Sequence, residues 1–428
     1  SRWIPPVSIN RISSMVENRP DWCLSRQRAW GVGIPAFYCR SCGKEILDKR
    51  AIAAVHELVQ REHSDAWYVR SAAEILPEGF TCPACGGTEF DKETDILDVW
   101  FDSGSTHLAV LENPAWPELR WPADVYLEGS DQHRGWFNSS LMIGVGVRDA
   151  APYRTVITNG WTLDDSGRAM HKSLGNVVSP IEVIDKYGAD ILRLWVASTD
   201  YFEDVRCSED IIKQVAEAYR RIRNTFRFLV NNLSDSTREY RRFNPATDAV
   251  AWDQMLDLDR WILAKLDEVV ADCKAGYEAY EFHHVFHTVE YFSAVDLSAF
   301  YLDVLKDRLY CEAAGSLPRL SAQTALHTLA RTLAVVLSPV LSHTAEEVWQ
   351  RLEIPDKAPS VQLADWPGSV CPDGQTVLNR WAPVLVMRDA VNAALEEARQ
   401  SKRIGNPLEA AVRIETDVAS SMALAPFA

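Results

Sequence analysis

Apolar positions fall in short runs over roughly the first half of the chain and at helical spacing beyond it. Val125 and Leu127 alternate with their neighbours and predict a strand, and Leu141, Met142 and Ile143 predict the helix that follows it. Tyr153 to Gly160 predicts another strand with an apolar centre, leading into a turn over Trp161 to Ser166. Ile52, Val55, Leu58 and Val59 mark a shorter helix. From Asp190 the period changes. Ile211, Val215, Ala218, Ile222, Phe226, Leu229 and Leu233 recur at steps of three and four, the stripe of one amphipathic helix. Leu258, Ile262, Leu266, Val269 and Cys273 repeat that stripe in a second. Val285 to Leu302 and Thr324 to Leu337 complete an all-α bundle, with Pro339 ending the latter segment. Pro355 to Pro372 has the Pro, Ser, Asp and Gly content of a linker. A helix over Val384 to Arg403 and a strand-like Ala411 to Ile414 then open a small α+β unit. The expected organisation is an α/β portion to residue 205, the bundle over 206–354, a linker over 355–375 and the start of the last unit at 376–428.

Composition narrows the class. A chain of 428 residues can bury two or three cores, and 47% hydrophobic with 24% charged residues is ordinary for a soluble globular protein. No run of 18 apolar residues occurs, so no membrane span is expected. The first residues, Ser-Arg-Trp-Ile-Pro-Pro, form neither an apolar leader nor an initiator start, and the chain is expected to be part of a longer polypeptide. A net charge of −16 argues against nucleic acid as a partner for the whole surface. A phosphate backbone meets local charge, however, and Arg220, Arg221, Arg223, Arg227, Arg238, Arg241 and Arg242 fall within 23 residues. Composition alone leaves two readings open, a solvated helix face and an RNA-facing ridge.

The cysteines change the picture more. Nine is an odd number, and four of them form the pairs Cys39-x2-Cys42 and Cys82-x2-Cys85, each followed by glycine (Gly43, Gly86). This pattern suits a reducing, cytoplasmic compartment and a metal site, not a disulfide framework. Four thiolates make a closed tetrahedral set for one structural Zn²⁺ per chain, with no position left for catalysis. A redox pair or buried reduced thiols are the alternatives. Cys23, Cys207, Cys273, Cys311 and Cys371 are scattered and expected to be buried or inert.

Candidate chemistry concentrates in LEGSDQHRGWF, Leu127 to Phe137. A polar loop between strand and helix sits where open α/β sheets bind ligands, beyond the carboxyl ends of their strands. Gly129 permits close backbone approach, Glu128, Asp131 and Gln132 accept bonds from hydroxyls or amines, and Trp136 supplies a flat apolar wall. Downstream lies GRAMHKSLGN, Gly167 to Asn176. With DWCLSRQRAWG (Asp21 to Gly31) and DVWFDSGSTH (Asp98 to His107), these segments resemble the signatures of class I aminoacyl-tRNA synthetases, most nearly those of the bacterial isoleucyl branch.

The resemblance implies the second half of a Rossmann-like catalytic domain, interrupted by a zinc module at about 36–96. The helical bundle would then read the anticodon stem and loop. It implies L-isoleucine, ATP with Mg²⁺, and tRNA(Ile) as substrates, and a monomer. Glu128, Gly129, Asp131, Gln132, Lys172 and Ser173 would bind ATP or adenylate, with Lys172 catalytic. An ammonium on such a loop follows charge developing on the triphosphate as pyrophosphate leaves. Trp100 and Trp136 would line the isoleucine pocket, where one missing methylene is worth only ~1–3 kcal/mol, so that valine needs editing. Arg26, Gln27 and Arg28 would lie near the tRNA acceptor end, and Arg220, Arg221, Arg223 and Arg227 along its stem. Two features depart from the family. KMSKS becomes AMHKS, with Ala169 and His171 in place of Lys and Ser, and neither a His-x-Gly-His segment nor an editing region occurs in the sequence. A non-catalytic tRNA-binding paralogue and an unrelated zinc-containing nucleotide-binding module are the alternatives.

Overall fold

The computed structural model describes residues 1–19, 21–233, 243–416 and 424–425. They divide into two compact units: residues 1–161 with 202–204, and residues 162–201 with 205–428.

The first unit is built on a three-stranded parallel sheet in the order Arg2–Ile4, Tyr153–Asn159, Ala123–Gly129. Parallel neighbours need a crossover, and the helix Trp136–Arg148 supplies it between Ala123–Gly129 and Tyr153–Asn159. Tyr126, Phe137, Tyr153, Val156 and Ile12 form the core between sheet and helix. The strand predicted from Val125 and Leu127 therefore exists, with its faces reversed. Val125 and Leu127 are 40% and 52% exposed, while Tyr126 between them is buried. Its ring stacks on Trp136 at 4.0 Å and meets Tyr153 at 4.9 Å, and burying three aromatic rings outweighs burying two aliphatic chains.

The Cys-rich segment has its own framework. Phe37–Cys39 pairs antiparallel with Glu45–Ile46 and with Phe90–Lys92. The helix Lys49–Glu62 starts at Asp48, whose carboxylate accepts from Arg50 N, and buries Val55 and Leu58. These pack with Phe37, Ile46, Trp67, Ile75 and Phe80. The pair Ser25–Arg26 with Ile96–Leu97 closes the base of the segment.

The second unit begins at Thr162–Leu163, which pairs in parallel with Val205–Arg206. Between them come the loop carrying Lys172 and the helices Pro180–Tyr187 and Ala189–Ser198. Val183, Ile191, Leu194 and Trp195 share one core with the bundle helices, so residues 162–201 cluster with the second unit.

The bundle comprises Glu209–Asn231, Asp257–Ala279, Phe282–Tyr291, Leu317–Leu337 and Ser342–Arg351, with the π-helix Phe292–Tyr301 continuing the third. Both predicted stripes are buried except Ile211, whose place Ile212 takes. Ser208 caps the first helix through Ile211 N. Asp259 lies wholly buried in the bundle, accepting from Tyr301 Oη, Ser321 Oγ and Arg308 Nη1. The last helix, Gly374–Gln400, starts ten residues before the expected Val384 and contains Pro383. Residues 411–416 form no strand, because no partner strand lies beside them among the described residues. No described helix is long and apolar enough to cross a membrane.

Candidate active site and metal centre

The loop after Ala123–Gly129 folds back on itself. A Cβ on Gly129 would stand 2.9 Å from Asp131 Oδ1, a contact that the exposed Asp131 side chain can relieve by turning. Gln132 Nε2 donates to Asp131 Oδ2 at 3.0 Å, and Gln132 Oε1 accepts from Trp136 N at 2.9 Å, which satisfies a first-turn amide of the helix. The Glu128 and Asp131 carboxylates are exposed. His133 is fully buried, stacks on Trp3 at 5.9 Å and holds Ser130 O through Nδ1, and burial pushes its pKa down, keeping it neutral.

Trp136 Nε1 donates to Ser103 O at 3.0 Å, which ties it to the helix Val99–Gly104 that carries Trp100. The Trp100 ring lies against Gly135, where a Cβ would meet Cη2 at 2.7 Å. Asp98 caps that helix at Trp100 N and also accepts from Trp22 Nε1 and Arg26 Nη2. Arg26 donates in addition to Cys23 O and Ser25 O. Its guanidinium thus fastens the Asp21 to Gly31 segment to the pocket helix. Gln27 is likewise engaged with Asp95. Arg28 is exposed with no partner among the described residues, and Trp30 beside it is 83% exposed.

Lys172 and Ser173 belong to the other unit. Their loop is held from behind by Asp164, which accepts from Ser166 N, Arg168 N, Arg168 Nε and Asn176 Nδ2 at 2.9 to 3.0 Å. Asn176 and Arg168 hold the Asp164 carboxyl at about 2, well below the usual carboxylate range. Asn176 Oδ1 accepts in turn from His171 N. Gly167 and Gly175 turn the chain at φ 75° and 64°. Lys172 is exposed and no described group neutralises it. Asp164 and Asn176 escaped the sequence reading; the Asp-Asp-Ser-Gly turn was the available signal.

The four paired cysteines converge. Cys39 Sγ lies 3.6 Å from Cys85 Sγ and Cys42 Sγ lies 3.8 Å from Cys82 Sγ, with all four sulfurs within 4.8 Å of one another and none in a disulfide. A tetrahedron with metal–sulfur bonds of about 2.3 Å has edges of about 3.8 Å, so the set can hold a metal ion. Gly43 N and Gly86 N donate to Cys39 O and Cys82 O at 2.8 Å, and φ values of 71° and 77° make both turns glycine positions. Of the other cysteines Cys207 and Cys273 are buried and Cys371 is half-buried. Cys23 and Cys311 are exposed and lie outside the buried cores.

The arginine cluster is partly spent on internal pairs. Arg220 pairs with Glu217 and Arg221 with Glu290. Arg223 reaches Glu347, and Arg227 has no partner among the described residues. Arg238, Arg241 and Arg242 lie outside the described residues.

Residues 1–208 match the family of class I tRNA synthetases (I, L, M and V), and residues 259–414 match the anticodon-binding domain of tRNA ligase. The isoleucine–tRNA ligase of Moorella thermoacetica is 51% identical over 428 residues, covering 100% of this chain and 45% of that protein. That of Carboxydothermus hydrogenoformans is 53% identical over 415 residues, 96% of this chain and 44% of that protein. The chain thus spans under half the length of these relatives. Among solved structures, the LeuRS of Agrobacterium radiobacter K84, in a ternary complex with tRNA and LeuAMS, has a TM-score of 0.58 at 21% identity, over 83% of this chain and 42% of that one. The methionyl-tRNA synthetase of Mycobacterium tuberculosis bound by methionyl-adenylate has a TM-score of 0.56 at 17% identity, over 87% and 63%. The two structures share the fold, while the sequence identity speaks to kinship. The chain belongs to the class I tRNA synthetase family, matching part of the isoleucyl enzymes along its whole length.

Proposed function

We propose that the protein is an isoleucine–tRNA ligase, which makes isoleucyl-adenylate from L-isoleucine and ATP and transfers the isoleucyl group to tRNA(Ile). The observation that carries this reading is the unbroken match of all 428 residues to isoleucine–tRNA ligases, through both the strand-end loop and the Lys172 loop. Membership of the family removes the unrelated nucleotide-binding module as an alternative.

In this reading an isoleucine carboxylate oxygen attacks the α-phosphorus of Mg²⁺–ATP. The new bond is carboxylate oxygen to phosphorus, and the broken bond releases pyrophosphate. Lys172 and Ser173 attend the departing phosphates, since an exposed ammonium without a partner is free to follow their charge. Glu128, Gly129, Asp131 and Gln132 receive the nucleoside; the two free carboxylates are acceptors for ribose hydroxyls. Trp100 and Trp136, held together through Ser103 O and Gly135, form the apolar pocket for the amino-acid side chain. Arg28 and the bundle arginines meet tRNA. The four cysteines hold one Zn²⁺ as a staple, with every position filled by sulfur. The protein acts as a cytoplasmic monomer.

The test is amino-acid-dependent pyrophosphate exchange by a polypeptide of the relatives' full length that contains these 428 residues. Isoleucine should support it far better than leucine or methionine. Exchange that ignores isoleucine sinks the proposal.

A further inference from the structure

Trp136, the proposed wall of the amino-acid pocket, is half-buried, and another ring covers its inner face. Tyr126 stacks on it with 4.0 Å between ring centroids and 12° between planes. The indole edge is held as well. Nε1 donates to Ser103 O at 3.0 Å, and Thr106 Oγ1, which donates to the same carbonyl at 2.7 Å, lies 3.4 Å from it. Edge and inner face are thus both committed, and the outer face is the one a ligand can meet.

Tyr126 has little room to yield. It is 4% exposed in the strand Ala123–Gly129, where it pairs with Val156 of the central strand. Behind it lie Tyr153 at 4.9 Å and Phe137 at 6.4 Å, both buried, and Tyr153 Oη donates to Phe137 O at 3.1 Å. Support therefore runs from the sheet through Tyr126 to the indole, and a close-packed interior leaves a ring no space to retreat. The strand phase that buries Tyr126 at the expense of Val125 and Leu127 is what sets this plate behind the pocket.

We infer that Tyr126 is a positioning residue for selection of the amino acid: by bracing Trp136 it fixes the depth of the pocket. The inference rests on the ligase reading and adds to it a residue that touches no substrate. A braced wall acts on shape in one direction. It rejects a side chain that has to push it back, such as methionine, which is longer, or leucine, which branches one carbon later, because displacing a packed indole is costly. Against valine it does nothing, since a smaller side chain only leaves a gap. Selection against methionine and leucine should therefore part from selection against valine when Tyr126 is altered.

The experiment is pyrophosphate exchange by a polypeptide of the relatives' full length that contains these 428 residues, with isoleucine, valine, leucine and methionine in turn. In Tyr126→Leu the kcat/KM for methionine and for leucine, relative to isoleucine, should rise about tenfold, with the valine ratio within about twofold of wild type and the ATP KM unmoved. Such ratios do not depend on the fraction of active protein, so a merely structural loss leaves them alone. Tyr126→Met fills the space without a flat, stiff ring and should behave as Tyr126→Leu. Tyr126→Phe loses only the hydroxyl, which lies beside Ser140 and Thr106, and should keep every ratio. Unchanged methionine and leucine ratios in the Leu and Met variants would overturn the inference and leave the ligase reading standing. Altered ratios in Tyr126→Phe would assign the effect to the hydroxyl and overturn it too. A wild type that ignores isoleucine overturns both.

Discussion

Lys172 sits exposed on its loop, and the group that shapes the loop behind it is Asp164. The two side chains should therefore fail differently when altered. On the proposed role, Lys172→Ala removes a charged donor from the departing pyrophosphate, worth on the order of 3 kcal/mol at the transition state, or roughly 10²-fold in exchange rate. Isoleucine affinity should barely move, and His171→Ala should cost little. Equal losses in both variants, read by pyrophosphate exchange, would contradict these roles. The Asp164 carboxyl titrates at about 2 in the folded loop, against ~3.9 for a free side chain. A depressed value means its contribution is in place above about pH 4 and disappears as pH falls toward 2. Exchange measured from about pH 5 to pH 9 should show no titration that Asp164→Asn removes. An acid limb near pH 5 that vanishes in that variant would reject the clamp. His133 is shifted the same way, its pKa pushed down by burial, which favours the neutral imidazole.

Between elements, the decisive contact is the one between the helices Val99–Gly104 and Trp136–Arg148. Gly104 approaches the Ser139 backbone so closely that a Cβ would lie 2.8 Å from its carbonyl carbon, and Gly135 does the same against Trp100. A methyl at Gly135 has to push the indole or Gln132 aside, an overpacking cost of ~1–3 kcal/mol. Gly135→Ala should raise the KM for isoleucine roughly tenfold or more while leaving ATP affinity unchanged. An unaltered isoleucine KM would mean that Trp100 does not bound the pocket. The metal segment makes a separate prediction. Chelation should melt residues 36–90 and spare the bundle, with amide exchange speeding up only in the first region; uniform acceleration, or none, would count against a local staple.

These same elements show what could be read from the chain. Strand, polar loop and helix at 123–148 are contiguous, so order and chemistry were visible together. Which face of the strand is buried was not, because alternation over three residues fixes a period without fixing its phase, and Tyr126 decided it. The CxxC pairs announced themselves through spacing. Arg26 seemed available for RNA because its partner, Asp98, is 72 residues away. The last helix was placed late because Asp373-Gly374 and Pro383 carry turn chemistry, yet Val377 and Trp381 are buried and hold that turn of helix in place.

At the scale of the molecule, the sequence holds Lys172, proposed for one side of the phosphates, and no His-x-Gly-His segment, which the family resemblance places on the other. Purified residues 1–428 should therefore fold, bind tRNA in a salt-sensitive way and fail at isoleucine-dependent exchange. Turnover near that of a complete synthetase would require a second phosphate-binding group among these residues. The boundary after Trp161 has a further consequence. The natural place to cut out a tRNA-reading module, judged by where the helices lengthen, is just before Glu209. Such a graft would leave behind Val183, Ile191, Leu194 and Trp195, and with them part of the module's own interior. A transplant that keeps its interior must start at Thr162, and it then carries Lys172 along. The part proposed to meet the nucleic acid and the part proposed to attend the leaving group are thus one inheritable piece, so recombination between related chains that preserves one preserves the other.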